Sequence, residues 1–427
     1  MVDFPAAKTG ILPYIEDWKT RVNEGMKKLE TTVQYSAAFA AFWAIDCTVI
    51  GYASVFLQAN DYSNTIIGVI LSAANLLSVA IQISAADIAD RSKKLNLFDV
   101  VIMMAVAIMV SELIVLLLKG RTILMFLAYT VVAGVHLAHQ SQLNAMSGIL
   151  ASRNLNADYG ICRGTGSLCY AATSLLMGVL VAKAGVIVLG ISNEVFVFIL
   201  IVASAAMGRN YRKASPITQS KAEAAENIQM SEFISRHKMF LVMCIGILIL
   251  FYQQQVTNNF MLQIFQANGG GTRELSIFFC IMPLTETAVF WVYAFLKRFF
   301  SVKTLLKFST FMFIIRGLLL VLASSSTGVI LSLIAHPFCF PLFLASIVDY
   351  INGIMDHKEV VRGQSLYVVV ITISALITSL TGGAIIDMWG AKMLLIVALV
   401  STVAGVGLVL PMVSRAEKEI ACTRTDS

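Results

Sequence analysis

The sequence predicts an all-α polytopic membrane protein whose twelve transmembrane helices form two pseudo-symmetric six-helix bundles. Three observations support this fold class. Of the 427 residues, 58% are hydrophobic and only 13% are charged, and the mean hydropathy is +0.81. A soluble domain of this size cannot bury so much apolar surface. The apolar residues also fall into long runs, and the basic residues alternate between the gaps that separate those runs.

The apolar runs define twelve candidate spans, each long enough to cross a bilayer as a helix of roughly 20 residues. Helices are expected because an open sheet would leave backbone groups unpaired in lipid. We number the runs in chain order as spans one to twelve: 35–57, 64–88, 98–118, 123–150, 159–184, 187–207, 239–265, 274–296, 303–323, 328–353, 363–388 and 391–413.

The positive charges predict how the spans are oriented. With the N-terminus inside, cytoplasmic segments hold 24 of the 31 Lys and Arg residues, and external segments hold five. This asymmetry predicts a multi-pass protein of the cytoplasmic (plasma) membrane with both termini cytoplasmic. The net charge of +6 then reflects the cytoplasmic membrane face, and we expect no nucleic-acid partner. The two remaining cations, Arg163 and Arg316, lie inside apolar runs, where an unpaired charge costs several kcal/mol, about 2.5–3.5 on insertion scales.

An internal repeat predicts the domain organisation. Asp90 and Arg91 follow span two as Lys297 and Arg298 follow span eight, and glycine pairs close both span five and span eleven. The offsets are 207 (298 − 91) and 205 (390 − 185) residues, which is typical of a parallel repeat. We therefore expect a cytoplasmic N-terminal segment at 1–34, bundles at 35–207 and 239–413, a cytoplasmic central loop at 208–238 and a cytoplasmic tail at 414–427.

The loop after span two carries the first family resemblance. Residues 86–94 read ADIADRSKK, which resembles the G-x-x-x-D-R-x-G-R-K signature of the major facilitator superfamily, with Ala86 in place of the first glycine. The resemblance implies that Asp90 and Arg91 form a conformational lock between the halves on the cytoplasmic side. The alternative is a basic cytoplasmic loop with no further role.

Span five sharpens the resemblance. Residues 159–167 read YGICRGTGS, which is similar to the start of span five in the oligosaccharide/nucleoside:proton symporter branch, the lactose permease-like members of the superfamily. The resemblance implies that Arg163 binds sugar hydroxyls and that Tyr170 takes the place of a stacking tryptophan. Seven residues make two helical turns, so both side chains share one face. A guanidinium and an aromatic ring suit a sugar or equally a nucleoside.

The second half resembles the same branch from span seven to span ten. The matching segments are 252–260 (YQQQVTNNF), Glu286 with the later FLKRF turn, Arg316, and 336–341 (HPFCFP). Four positions depart from the branch: Cys339 replaces the proton-carrying glutamate, Leu333 replaces a lysine, Gln253 replaces its aspartate partner, and Asn144 replaces an acidic sugar ligand. Arg316 has thus lost its family partner, and we expect Glu286 or cavity water to neutralise it.

Ionisable groups inside membrane spans are functional candidates by default. The predicted solute-binding residues are Arg163, Tyr170, Asn144, Asn258, Glu286 and His336. The predicted proton-coupling residues are Asp46, Glu286, Arg316 and His336. His136 and His139 lie three residues apart in span four, but no Cys or acid at ligand spacing joins them, so we expect no metal site. We expect both histidines to face the cavity or the external vestibule.

These observations predict a monomeric secondary transporter, not an enzyme, that moves a small hydrophilic solute by alternating access and needs no cofactor. A sugar or oligosaccharide is the preferred solute, and the coupling ion implied by the resemblance is H+. A nucleoside importer, an exporter of amphipathic compounds and uncoupled facilitated diffusion are alternatives. A membrane enzyme or receptor is a more distant one.

Overall fold

The computed structural model describes residues 12–91, 95–118, 120–214, 233–234, 236–355 and 359–425. The regular secondary structure within these ranges is helical, and short turns and loops connect the helices. In the first half, span one begins as the helix Leu12–Asp46, passes through a π-helical turn at Cys47–Gly51 and ends in the short helix Ala53–Ala59. The other five spans of this half are the helices Asn64–Arg91, Leu97–Leu117, Ile123–Ala151, Tyr159–Ala184 and Ile187–Lys213.

In the second half, span seven comprises the helices Lys238–Asn259 and Met261–Ala267, and spans eight and nine are Thr272–Leu296 and Val302–Leu322. Span ten is interrupted: Ser326–Leu331 and Phe340–Ile354 are α-helical, and Ser332–Ile334 and His336–Phe338 between them are tighter 3₁₀ turns. Spans eleven and twelve run within Val360–Thr425 and are divided at Gly390, whose positive φ of 81° breaks the helix. The described residues thus contain eleven membrane-length helical stretches, the last of which holds two spans, and the expectation of twelve is confirmed.

The repeat is visible in the backbone. Span one breaks at Tyr52 and resumes to Asn60, and span seven breaks at Phe260 and resumes to Asn268. Both pairs are separated by 208 residues (260 − 52 and 268 − 60). The two asparagines have nearly the same dihedral angles, with φ of −106° and −111°. The helix break and the short helix that follows it in span one therefore recur at the equivalent position of span seven, as expected for a parallel repeat.

The two halves meet along spans two and eleven and along spans five and eight. We call the end that holds loops 60–63 and 268–271 the outer end, following the charge-based orientation. Several hydrogen bonds that join the halves lie toward this end, and five of them measure 2.9–3.0 Å: Ser54–Asn259, Gln58–Gln266, Asn64–Gln263, Ser72–Leu376 and Ser174–Ser276. The halves are therefore closed against each other at the outer end.

Two glycines allow the closest approach between the halves. A Cβ on Gly68 of span two would overlap the carbonyl oxygen of Ser379, and one on Gly383 of span eleven would overlap the carbonyl oxygen of Asn64. At the opposite, inner end, ion pairs instead join helices of the same half: Arg212–Asp99 at 2.9 Å, Lys297–Asp349 at 2.7 Å and Lys303–Glu417.

Several predicted features fall wholly or partly outside the described residues. The side chains of Asp90 and Arg91, the expected conformational lock, are among them, as are residues 1–11 of the N-terminal segment and residues 215–232 and 235 of the central loop. The helices on either side of that loop end at Lys213 and begin at Lys238, close to the expected loop bounds of 208–238.

Candidate functional site

A cavity of about 230 Å³ lies between the two halves. Five spans supply most of its polar surface. The polar and aromatic residues in its wall are Trp43, Asp46, Gln140, Arg163, Ser167, Tyr170, Gln254, Asn258, Phe279, Glu286 and Phe340. Five predicted residues therefore meet in one place although they come from spans one, five, seven and eight: Asp46, Arg163, Tyr170, Asn258 and Glu286.

Arg163 is held in place by its own helix and by span one. Its Nη1 donates to Ser167 Oγ one turn later, at 2.9 Å, and its Cζ lies 4.3 Å above the ring of Trp43. The indole fits there because a Cβ on Gly166 would collide with it. This packing explains the glycine at 166, and the cation–π contact lowers the cost of the buried charge.

Tyr170 forms an aromatic wall with residues from both halves. Its ring lies edge-on to Trp43 and to Phe279 of span eight, with both centroid distances 6.2 Å. Its hydroxyl points at Gly51, where a Cβ would lie only 2.8 Å from the oxygen. Tyr170 is 6% exposed, so the ring is fixed by packing and shares the cavity face with Arg163, as the seven-residue spacing predicts.

Asp46 is the last residue of the first helix and precedes the π-helical turn of span one. Its carboxylate lies in the cavity wall, and its Oδ1 is 3.0 Å from His136 Nε2 of span four. His136 is fully buried and stacks on Phe42 at 4.6 Å. A carboxylate that faces the cavity is thus backed by a histidine that does not reach it.

Glu286 and His336 form a similar acid–histidine pair in the second half, although the two acids stand on non-equivalent spans. Glu286 of span eight lies in the cavity wall, and its Oε1 is 3.2 Å from Nε2 of the fully buried His336. His336 belongs to the 3₁₀ turn of span ten and stacks on Phe340. The two histidines are separated by 200 residues (336 − 136), close to the repeat offset, and in both the Nδ1 atom has no partner within the described chain.

Charge links the two pairs through Arg163. The guanidinium interacts electrostatically with Glu286 of the second half and with Asp46 of the first. The cavity wall thus holds one guanidinium and two carboxyl groups. A carboxyl group beside an imidazole is chemically suited to take up and release a proton.

Amide side chains form the remaining wall. Gln254 Nε2 donates to Asn258 Oδ1 at 3.1 Å, and Asn258 Nδ2 donates to Gln255 at 3.4 Å. Arg316 lies behind them, where its Nη1 donates to Gln254 Oε1 at 2.6 Å. Since a guanidinium can only donate, it fixes which face of the Gln254 amide is turned toward Asn258.

Glu286 forms no direct ion pair with Arg316 among the described residues, because its Oε1 lies 3.2 Å from His336 Nε2, but its charge still acts on the guanidinium from a distance. Arg316 is fully buried and outside the cavity wall, and among described residues its hydrogen bonds reach only Gln254 and Thr257. The Cys339 thiol lies beside it, at the position where the branch has a glutamate. A buried cation surrounded by neutral groups is costly, and amide and hydroxyl dipoles offset part of that cost.

Several further expectations do not match the geometry. Asn144 is exposed and outside the cavity wall, and its Oδ1 accepts from Tyr159 at 3.0 Å. Neither histidine of span four faces the cavity or vestibule as expected: His139 is buried against the carbonyl oxygens of Val101 and Val135, and His136 is buried behind Asp46. His336, an expected solute-binding residue, is also fully buried and outside the cavity wall.

Six polar or aromatic cavity residues were not among the predicted site residues: Trp43, Gln140, Ser167, Gln254, Phe279 and Phe340. Two of them carried a usable signal. Trp43 precedes Asp46 by three residues and Gln140 follows His136 by four, and both spacings place side chains on the same helical face. Phe279 carried no such signal because its contact with Tyr170 joins the two halves.

The chain resembles known transporters in both sequence and structure. Residues 32–397 match the model of the MFS_1 like family. The solved structure of the nucleoside transporter NupG superposes with a TM-score of 0.69 at 16% identity, covering 91% of this chain and 98% of that one. The POT family transporter PepTSo gives a TM-score of 0.65 at 10% identity and covers 91% and 98%. At these identities the likeness concerns the fold, and no curated protein sequence matches the chain.

Proposed function

Because the chain belongs to the MFS_1 like family of the major facilitator superfamily, we propose that it moves a small hydrophilic solute across the cytoplasmic membrane, with both termini cytoplasmic and the protein acting as a monomer. The observation that carries this proposal is the central cavity. Arg163, Asp46 and Glu286 place three ionisable groups from both halves in one cavity, and the halves above it are closed at the outer end. A solute bound there would reach either side only if the halves rock.

A sugar is the solute that the wall fits best. Arg163 offers several N–H donors, Asp46 and Glu286 accept, and Asn258 does both. Tyr170 and Trp43 supply flat apolar faces for a sugar ring. The cavity of about 230 Å³ is smaller than the roughly 300–1,000 Å³ of pockets for drug-sized ligands. That size favours one or two sugar units over a longer oligosaccharide.

A nucleoside is the second candidate, and one observation favours it. Gln140, Gln254 and Asn258 carry amides that can pair with the edge of a base, next to the aromatic wall of Tyr170 and Phe279. An exporter of amphipathic compounds fits less well, since three ionisable groups in a small cavity disfavour an apolar ligand.

Proton coupling is part of the proposal, and Glu286 with His336 is its first candidate. The two carboxyl groups beside one guanidinium in the cavity wall support proton uptake together with a neutral solute. Asp46 with His136 is the alternative carrier, because the same contact occurs there. Arg316 acts through Gln254 as a positioning residue. Asp90 and Arg91 complete the proposal as the lock at the cytoplasmic side.

A ligand screen tests the proposed solute class. The purified full-length protein in detergent is heated with a panel of monosaccharides, disaccharides and nucleosides, and a sugar should raise the unfolding midpoint with saturation. Arg163→Ala should weaken binding by about 10–150-fold, the loss typical of hydrogen bonds to a charged group. The same substitution at the exposed Arg209 is the control. A shift with nucleosides only would move the proposal to the second candidate, and unchanged affinity in Arg163→Ala would remove Arg163 from the site.

A further inference from the structure

A second, much smaller cavity lies inside the first half, apart from the central one. It encloses about 10 Å³, the space of one water-sized sphere. Its polar wall comes from Thr48 of span one, Glu112 of span three, Tyr129 of span four and Asn193 of span six. No residue is shared with the wall of the central cavity.

Glu112 is the unexplained residue of this cavity. Its side chain is 4% exposed, and its Oε2 has no hydrogen-bond partner among the described residues. The backbone leaves room for the carboxylate, since a Cβ on Gly190 would lie 2.7 Å from Glu112 Oε1. Burying a carboxylate without a compensating partner costs free energy that an apolar side chain such as leucine would not cost at this position.

Among the described residues, the groups around Glu112 are mostly oxygens, together with the unpaired amide nitrogen of Asn193. Thr48 Oγ1 lies 3.4 Å from Asn193 Oδ1, and Tyr129 donates to the Val49 carbonyl at 2.7 Å. Glu194, one residue beyond Asn193, adds a second partly buried carboxylate whose charge acts on Glu112. Between the described residues, no ion pair includes either acid.

We propose that this cavity is a binding site for a small monovalent metal cation, with Na+ as its chemical type. Hard cations prefer carboxylate, hydroxyl, amide and carbonyl oxygens, which are the groups assembled here. One carboxylate lines the cavity, so a single positive charge balances it, and the space accepts an ion no larger than a water molecule. The charge of Glu194 further strengthens the attraction for a cation.

The site lies behind the central cavity, across a single turn of helix. Thr48 and Val49 contribute to the small cavity, and Ile50 and Gly51 of the same π-helical turn line the central one. π-helical turns often occur at functional sites because the extra residue shifts the register of the helix. A cation bound on one side therefore fixes the turn that forms part of the solute site on the other.

Direct binding tests the proposal on the intact protein. Full-length protein in lipid nanodiscs is equilibrated with radioactive Na+, at constant ionic strength maintained with choline chloride. We expect saturable binding that unlabelled Na+ and Li+ displace and that choline does not. The unfolding midpoint should rise with Na+ in the same concentration range. Stability that changes with pH alone, without Na+ binding, would overturn the proposal and indicate a proton shared by the two acids.

Matched variants locate the ion. Glu112→Gln keeps the shape and removes the charge, and Thr48→Val removes one oxygen at nearly constant volume. Each should weaken Na+ binding at least about tenfold. Asp61→Asn, at an exposed acid of the outer loop, should leave it unchanged. If Glu112→Gln does not fold, comparing the Na+ binding isotherms of Thr48→Val and the wild type still tests the site. Equal Na+ affinity in wild type and either folded variant would contradict the site.

Discussion

The carboxylate of Asp387 in span eleven accepts two hydrogen bonds from Thr65 at the start of span two. Its Oδ2 accepts from the Thr65 backbone N–H at 2.7 Å and from the Thr65 hydroxyl at 2.6 Å. Its Oδ1 accepts from the backbone and side chain of Asn64. An acid from one half thus caps a helix of the other half, where the positive end of the helix dipole favours it. This contact must break whenever the outer end opens.

Asp387→Ala should therefore favour the outer-open state. A lost cap costs about 0.5–2 kcal/mol, and because it exists only in the closed state, the open population should rise about 2- to 30-fold. The measurement is the distance between spin labels at Asp61→Cys and Ala267→Cys, on opposite halves of the outer end, by electron paramagnetic resonance. An unchanged distance distribution would show that the cap does not hold the halves together.

Gly383→Ala should act on the same closure by sterics. The added methyl would overlap the Asn64 carbonyl, and backbone cannot give way as a flexible side chain can. We expect transport to stop while the protein stays folded and keeps binding solute from the outer side. Gly148→Ala is the matched control, because a Cβ there meets nothing within 4 Å. Normal transport by Gly383→Ala would contradict this closure as a required state.

The sequence predicted the fold well because its strongest signals have a direct physical cause. Bilayer thickness sets the run lengths, and the repeat offset reappears in the breaks at Tyr52 and Phe260. It did not predict the π-helical turn at Cys47–Gly51 or the 3₁₀ segment at His336–Phe338. Those depend on packing between helices, which leaves no periodic trace in a single run.

The site was predicted residue by residue with uneven success. Arg163 and Tyr170 could be paired because their spacing lies within one helix. The contacts Asp46–His136 and Glu286–His336 could not, since each joins two spans whose relative rotation is set by the whole bundle. Arg316 was predicted to lie inside a span, but its partner Gln254 was not predicted, because the family resemblance implies an acidic partner for this arginine.

Glu286→Gln should uncouple the transporter. The amide keeps the size of the side chain but cannot exchange a proton, so solute binding should no longer be accompanied by proton uptake. Solute exchange across the membrane should continue, because exchange needs no net proton movement. Proton uptake is followed with a pH indicator in weakly buffered detergent solution. Asp46→Asn is the comparison, and loss of uptake in that variant alone would assign the proton to the first half.

Cys339→Glu should create the ion pair that Arg316 lacks. The thiol already lies beside the guanidinium, so a carboxylate there would neutralise the buried charge. We expect a higher unfolding midpoint and transport that depends more steeply on pH. Cys244→Glu, at a cysteine buried in the apolar core of the second half, should instead destabilise the protein. No change in stability or pH profile in Cys339→Glu would mean that Arg316 is already compensated.

Solute uptake into sealed proteoliposomes is the most direct test of whether the protein transports a small hydrophilic solute. Vesicles containing the wild-type protein are given a radiolabelled solute chosen from the ligand screen, with and without an inwardly directed proton gradient. We expect saturable uptake that increases with the gradient. Arg163→Ala should abolish this uptake, and Arg209→Ala should leave it intact. Binding of the solute without any net movement across the membrane, or its chemical conversion at the membrane, would contradict the account.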